Sequence, residues 1–157
     1  MVGPKCAKVN PADYKRLRNY EWLANKSRNS FYARVIQTDS KTGKTRIKYM
    51  HQTVLEAPEG MVVDHINHDG MDNRRANLRA ATYSQNVCNR KKQSGVYSSE
   101  FKGVTWYKEK RKWVARIGFR NNRKFLGYFT DEIEAAKAYD RAAKKYHGEF
   151  ACLNFPE

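Results

Sequence analysis

Val62 to Asn86 reads VVDHINHDGMDNRRANLRAATYSQN, and this stretch decides the fold of the first half of the chain. Val62 and Val63 open an extended segment that ends in Asp64 and His65. Neighbouring residues of a strand point to opposite sides, so the carboxylate and the imidazole serve different surroundings. Asn67 to Asn73 (NHDGMDN) sets Gly70 among Asx residues, the composition of a tight loop that turns the chain back. A short second strand is expected over Asn77–Ala81. Thr82 stands three residues before Gln85, the spacing at which each side chain caps the other's backbone N–H, so a helix begins at Thr82 and carries Asn86 in its first turns. The order is strand, loop, strand, helix. From that helix Asn86 faces inward, and its carbonyl oxygen joins the Asp64 carboxylate as a hard ligand. Two protein oxygens, with water and phosphate completing the shell, suit Mg²⁺, which keeps several waters; Mn²⁺ fits the same donors.

Other readings of these residues stay open. DHINH is also compatible with a polar turn in which Asp64 caps a strand end and His65 is merely satisfied. His68 offers itself as a zinc partner for His65, and His51, in YMHQTVL, is within reach of the same cleft. Against zinc, no cysteine pair accompanies these histidines at zinc spacing.

From about Tyr49 to Asn89 the chain resembles an HNH nuclease of the ββα-metal type, in the variant found in phage homing endonucleases. The Asp-His pair, the loop motif DNRRANLR and the final Asn of SQN carry the resemblance. It implies that Asp64 and Asn86 ligate the metal, that His65 is the general base, and that Asn77 braces His65 or the loop. Asn86 stands where some relatives have a third histidine, which favours a hard, exchangeable divalent ion. The chemistry implied is attack of water on a phosphodiester, leaving a 5′-phosphate and a 3′-hydroxyl. A neutral imidazole, titrating near 6.5 when unperturbed, takes the proton.

Composition agrees with a polyanionic partner. Of 157 residues, 31 are Lys or Arg and 16 Asp or Glu, a formal charge of +15. The excess peaks between residues 87 and 125, with twelve basic and two acidic side chains. Phosphate neutralisation makes such binding fall steeply with salt. Cys6, Cys88 and Cys152 are an odd number in no CxxC pattern, which fits a reducing compartment and no disulfide framework. No apolar run approaches the length of a membrane span, and the N-terminus lacks a hydrophobic signal core. The expectation is a soluble, intracellular protein without a small-molecule cofactor, in the cytoplasm of a bacterial host if phage-encoded.

Upstream of the motif, the first ten or so residues lack periodicity and are expected to be loose. FYARVIQ (31–37) and TRIKY (45–49), joined by DSKTG, read as a two-stranded β-arm, and MHQTVLEAP as a short helix stopped by Pro58. Residues 1–90 are thus expected as one domain. Asn89 to Glu100, NRKKQSGVYSSE, is basic and then small and polar, so 91–100 reads as a linker able to lie along a phosphate backbone.

Residues 101–157 show a second pattern. Gly103–Tyr107, Lys112–Phe119 and Arg123–Phe129 each alternate, which implies three antiparallel strands. Val104, Trp106, Trp113, Ala115, Ile117, Leu126 and Tyr128 are assigned to one face. Thr105, Tyr107, Val114, Arg116, Arg123 and Phe125 are assigned to the other. Thr130-Asp131 caps a helix to about Tyr146, with Ala135, Ala136, Tyr139, Ala142, Ala143 and Tyr146 as an apolar stripe against the sheet. The fold class is therefore α+β: a ββα-metal domain followed by a three-stranded antiparallel sheet packed on one helix. GVTWY, KWVARI, LGYF, EAAKAYDRAA and LNFP, in that order, resemble the apetala-2/ethylene-response-factor DNA-binding domain. The resemblance implies that Lys102, Thr105, Tyr107, Arg116, Arg123 and Phe125 meet duplex DNA. The plant pattern has arginines at the positions of Thr105 and Tyr107, and Glu at that of Arg116, so base specificity does not transfer.

The function expected is a metal-dependent, site-directed DNA endonuclease of homing type. One catalytic constellation per chain favours a nicking monomer over a dimer. Two alternatives remain at this level: a catalytically inactive DNA-binding regulator, and a non-specific or RNA-cutting nuclease.

Overall fold

The computed structural model describes residues 5–27, 30–120 and 122–156. They fall into two compact units, Met1–Asn86 and Val87–Glu157. The first contains α1 (Pro11–Leu17), β1 (Leu23–Ser27), β2 (Ser30–Thr38), β3 (Thr45–Tyr49), α2 (Met50–Val54), β4 (Val62–His65) and β5 (Leu78–Ala81), and α3 (Tyr83–Cys88) follows. The expected β-arm is present with one more strand: β1, β2 and β3 form an antiparallel sheet in that order. LANKS has no strong β-formers, so its strand is set by pairing with β2 and not by propensity. The turn between β2 and β3 is held by the Asp39 carboxylate, which accepts from the backbone N–H of Lys41 and Thr42, both at 2.9 Å.

The segment expected to be loose is tied down from Lys8 onward, while Met1–Pro4 lie outside the described residues. Lys8 bridges the β4–β5 loop: its N–H donates to Met71 O and its carbonyl accepts from Asn73 N, each at 2.8 Å. Asn10 accepts from Arg75 N, and the buried Asp13 pairs with Arg75 and Arg16. Backbone pairing of this kind leaves no hydrophobic period to read. Behind the loop, Leu17, Ala33, Met50, Val54, Met71 and Leu78 form the core. Gly70 lies so close to β2 that a Cβ would stand 2.4 Å from the Phe31 carbonyl oxygen, which fixes glycine there. The β-arm is therefore the floor on which the loop rests.

In the second unit β6 (Val104–Tyr107), β7 (Lys112–Phe119) and β8 (Asn122–Phe129) form an antiparallel sheet in chain order, backed by α4 (Glu132–His147). The Asp131 side chain caps α4 by accepting from Glu134 N. Ala135, Ala136, Ala142 and Ala143 are buried against Val104, Ala115 and Ile117. Gly103 has φ +77°, and a Cβ there would fall 2.0 Å from the Tyr139 ring. The tail is clipped by Asp140, which accepts from the N–H of Asn154 and of Phe155. One assignment of faces changes. The register of β7 and β8 shifts between Ala115 and Arg116, and Tyr128, expected in the core, is 38% exposed on the outer side while Phe129 packs inward. A bulge interrupts the period of two on which the expectation rested. Among the described residues no helix is long and apolar enough to cross a membrane.

Candidate functional site

β4 and β5 pair antiparallel with Asp64 opposite Arg79 and His65 opposite Leu78. Both ends of β4 chemistry are buried: Asp64 is 5% and His65 6% exposed. The Asp64 Oδ2 accepts from Arg79 Nε at 2.9 Å and lies 2.9 Å from its Nη2, so a cross-strand guanidinium holds the carboxylate in place. His65 Nε2 is 3.2 Å from Asn73 Oδ1. The Asn73 amide nitrogen donates to Met71 O, which orients its oxygen toward the ring. An amide oxygen only accepts, so Nε2 carries the proton and the basic lone pair of His65 is on Nδ1. Burial pushes the His65 pKa down, opposed by the Asn73 bond and by the charges of Asp64, Asp69 and Asp72. The imidazole is neutral at pH 7.

Asn77 was expected to brace His65 or the loop, and it braces the loop. Its oxygen accepts from Asn67 N at 3.0 Å and its amide donates to Asn67 Oδ1 and Asp72 O. Asp72 completes the network, accepting from Asn67 and Arg74, and the Arg74 guanidinium holds its pKa at about 2. The residue bonded to the histidine is Asn73, fully buried, which sequence reading had counted only as part of the turn. Its signal was the odd richness of the loop in Asx beyond what one turn uses.

His51, anticipated near the cleft, is there. Its ring meets His65 edge-on at 5.0 Å between centroids, stacks on Tyr49 at 5.4 Å and abuts Tyr32 at 5.9 Å. Burial drives its pKa down to about 3, and its Nδ1 has no hydrogen-bond partner among the described residues. His51 is thus a neutral ring packed against His65. Asn86 is half-buried on α3, whose start is the expected capping box: Gln85 N donates to Thr82 Oγ1, and Thr82 N to Gln85 Oε1. Among the described residues, no three His, Cys, Asp or Glu side chains gather as a metal-binding group. The donors expected from the sequence, a carboxylate and an amide oxygen, are of the chemistry that suits a hard, largely hydrated divalent ion.

On the C-terminal sheet, Thr105, Arg116, Arg123 and Phe125 are exposed on the face away from α4, and Tyr107 lies half-buried beside them. Lys102 differs. Its ammonium donates to the carbonyls of Cys88 and Arg90 at 2.7 and 2.6 Å, and burial lowers its pKa. That lysine closes a loop and does not present its charge on the sheet face. Lys92 is engaged likewise, by Ser99 O and Phe101 O.

Residues 49–88 match the HNH endonuclease family. The HNH segment so delimited contains Asp64, His65, Asn73, Asn77 and Asn86, and also His51. HNH nucleases are in general dependent on divalent metal. The C-terminal region is similar to plant AP2/ERF proteins. It is 50% identical over 60 residues to APETALA2-like protein 2 of Oryza sativa subsp. indica, covering 37% of this chain and 14% of that protein. To the ethylene-responsive transcription factor WRI1 of Arabidopsis thaliana it is 35% identical over 83 residues, 50% of this chain and 19% of the relative. The chain thus spans under a fifth of the length of these relatives.

Proposed function

We propose that the protein is a metal-dependent DNA endonuclease whose HNH segment hydrolyses phosphodiester bonds and whose AP2-like sheet grips the duplex. The observation that supports it most is the bond from His65 to Asn73. It fixes the ring and its tautomer, which makes Nδ1 the basic nitrogen that would take a proton from water attacking phosphorus. His51 and Tyr32 pack edge-on against the ring and help to bury it. Asp64, oriented by Arg79, and Asn86 would hold the divalent ion, with Mg²⁺ or Mn²⁺ matching their oxygen donors. Such an ion, when bound, neutralises charge on the phosphate oxygens and the leaving 3′ oxygen. Arg79 holds the Asp64 carboxylate in place, at the expense of some cation affinity. The products expected are a 5′-phosphate and a 3′-hydroxyl.

In the AP2-like sheet, Arg116 and Arg123 supply phosphate or guanine contacts, and Thr105, Tyr107 and Phe125 supply sugar and thymine-methyl contacts. Lys102 is removed from that set. Homing-type targeting and a phage context accord with the pairing of a cutting domain with a separate groove-reading module, and a monomer carrying one His65 would nick. The test is incubation of supercoiled plasmid and of a genomic library with the full chain, with Mg²⁺ or with EDTA. Metal-dependent nicking at discrete sites is expected. Binding without cleavage in Mg²⁺ and Mn²⁺ would make the protein a regulator, and a smear would make it non-specific.

A further inference from the structure

Phe125 and Tyr128 lie three residues apart on β8, a spacing that in an unbroken strand puts two side chains on opposite faces. Here both stand outward. The register slip supplies the reason: Ala115 pairs with Gly127 but Arg116 with Phe125, so β8 holds an extra residue, and Gly127 takes φ +144°. A bulge that re-aims a side chain is a built feature of a sheet. What it assembles is a cluster of rings. Phe125 and Tyr128 meet at 4.9 Å between centroids and Tyr107 and Tyr128 at 5.9 Å. Phe125 is 52% and Tyr128 38% exposed.

Cations surround the rings. The Lys110 ammonium stands 4.3 Å from the centre of Tyr128. Arg116 faces Phe125 across the strands, and Arg123 is exposed one row further along, opposite Gly118. Glu109 is the acid beside the cluster, and it accepts a hydrogen bond from the Tyr107 hydroxyl. Paired bases show only edges in a groove, and edges are read by donors and acceptors. Two exposed rings with a half-buried third also match base faces, which are accessible where a strand is unpaired. The cations match its phosphates.

We infer that the outer face of the C-terminal sheet binds single-stranded DNA, stacking unpaired bases on Tyr107, Phe125 and Tyr128. The choice of DNA over RNA rests on the nuclease reading; the stacking does not. A strand loosened at a nick would present such bases to this face.

The experiment uses the full chain in EDTA, so that no cleavage occurs, and fluorescence anisotropy with a sixteen-nucleotide thymidine strand, an abasic strand of equal length and charge, the matching RNA, and a duplex. The normal DNA strand should bind at least tenfold more tightly than the abasic one, on the order expected for stacking. Phe125→Leu combined with Tyr128→Leu, which keeps apolar bulk, should erase most of that difference, and should weaken single-strand binding more than duplex binding. Quenching of 2-aminopurine placed within the strand should disappear in the same variant. Equal affinity for normal and abasic strands, an equal loss for duplex and single strand, or tighter binding of RNA would overturn the inference. Cleavage of plasmid by a chain that fails this test would sink the stacking alone. Discrimination of bases by a chain that never cuts would sink the nuclease reading alone.

Discussion

Between Asn67 and Asn77 the chain is held by side-chain amides, carboxylates and guanidinium groups, with Asn73 and Asp72 almost wholly buried. Between Glu132 and His147 it is held by alanines, five of them with little or no exposure, packed with Val104, Ala115 and Ile117. The two regions meet opposite demands. A polar network fixes the direction of each side chain, which His65 needs, and leaves the fold sensitive to charge. Alanine packing fixes only distance, which is enough for a sheet whose working face is on the other side, and is indifferent to pH.

Steric closeness is the point at which the C-terminal packing is easiest to break. Gly103→Val would put a side chain into the Tyr139 ring at a residue with φ +77°. A loss of about 3 kcal/mol or more is expected from overpacking and backbone strain together. Denaturant titration followed by tryptophan emission measures it, and an unchanged midpoint would mean that the helix does not lie that close. In the polar loop the corresponding break is Asn73→Ala, which leaves a buried His65 N–H without its acceptor. It should cost about 2 kcal/mol and lower cleavage by at least tenfold at matched DNA binding. Cleavage undiminished in a folded Asn73→Ala variant would show that the bond to His65 orients nothing.

Acid sharpens the contrast. Asp72 is held at about 2 by the Arg74 pair against an ordinary 3.8, and Asp13 is lowered by Arg75 and Arg16. A depressed carboxylate stabilises the fold above its unfolded pKa, and that contribution fades as pH drops through the folded value. Between about pH 4 and pH 2 the HNH-side tyrosine and histidine resonances should therefore lose dispersion before those of the alanine-packed helix. Simultaneous loss would show that the loop charges contribute little.

The smallest effect concerns the basic residues of the second unit. Arg116→Ala should reduce the salt slope of duplex binding by about one, whereas Lys102→Met should leave it unchanged, because that ammonium is engaged by two carbonyls. A slope lowered by the lysine change would return Lys102 to the DNA-binding set.

The contrast also explains which parts were legible in the sequence. Strands and the amphipathic helix announce themselves by period, so β2, β3, β7 and α4 agree with the sequence reading to within a residue or two. The Thr82–Gln85 capping box is likewise a local pattern and is present. What stayed hidden depends on pairing between distant segments: β1, the docking of Lys8 on the loop, the guanidinium of Arg79 on Asp64, and the bulge that turns Tyr128 outward. In the candidate site, the placement of Asp64 and His65 on one strand and of Asn86 on the following helix was readable. Which of several asparagines bonds the histidine was not, because Asn67, Asn73 and Asn77 have the same chemistry and only the loop's path chooses among them.

Central to the proposed function is a buried, neutral His65 that would take a proton from water while the rest of the protein holds DNA. The most direct test is plasmid cleavage in Mg²⁺ by His65→Ala beside the unaltered chain, with duplex affinity measured in EDTA for both. Cleavage reduced by about 10²-fold or more, at a dissociation constant within a few-fold of the parent, is the expected result. Cutting at the parental rate by the alanine variant would contradict it.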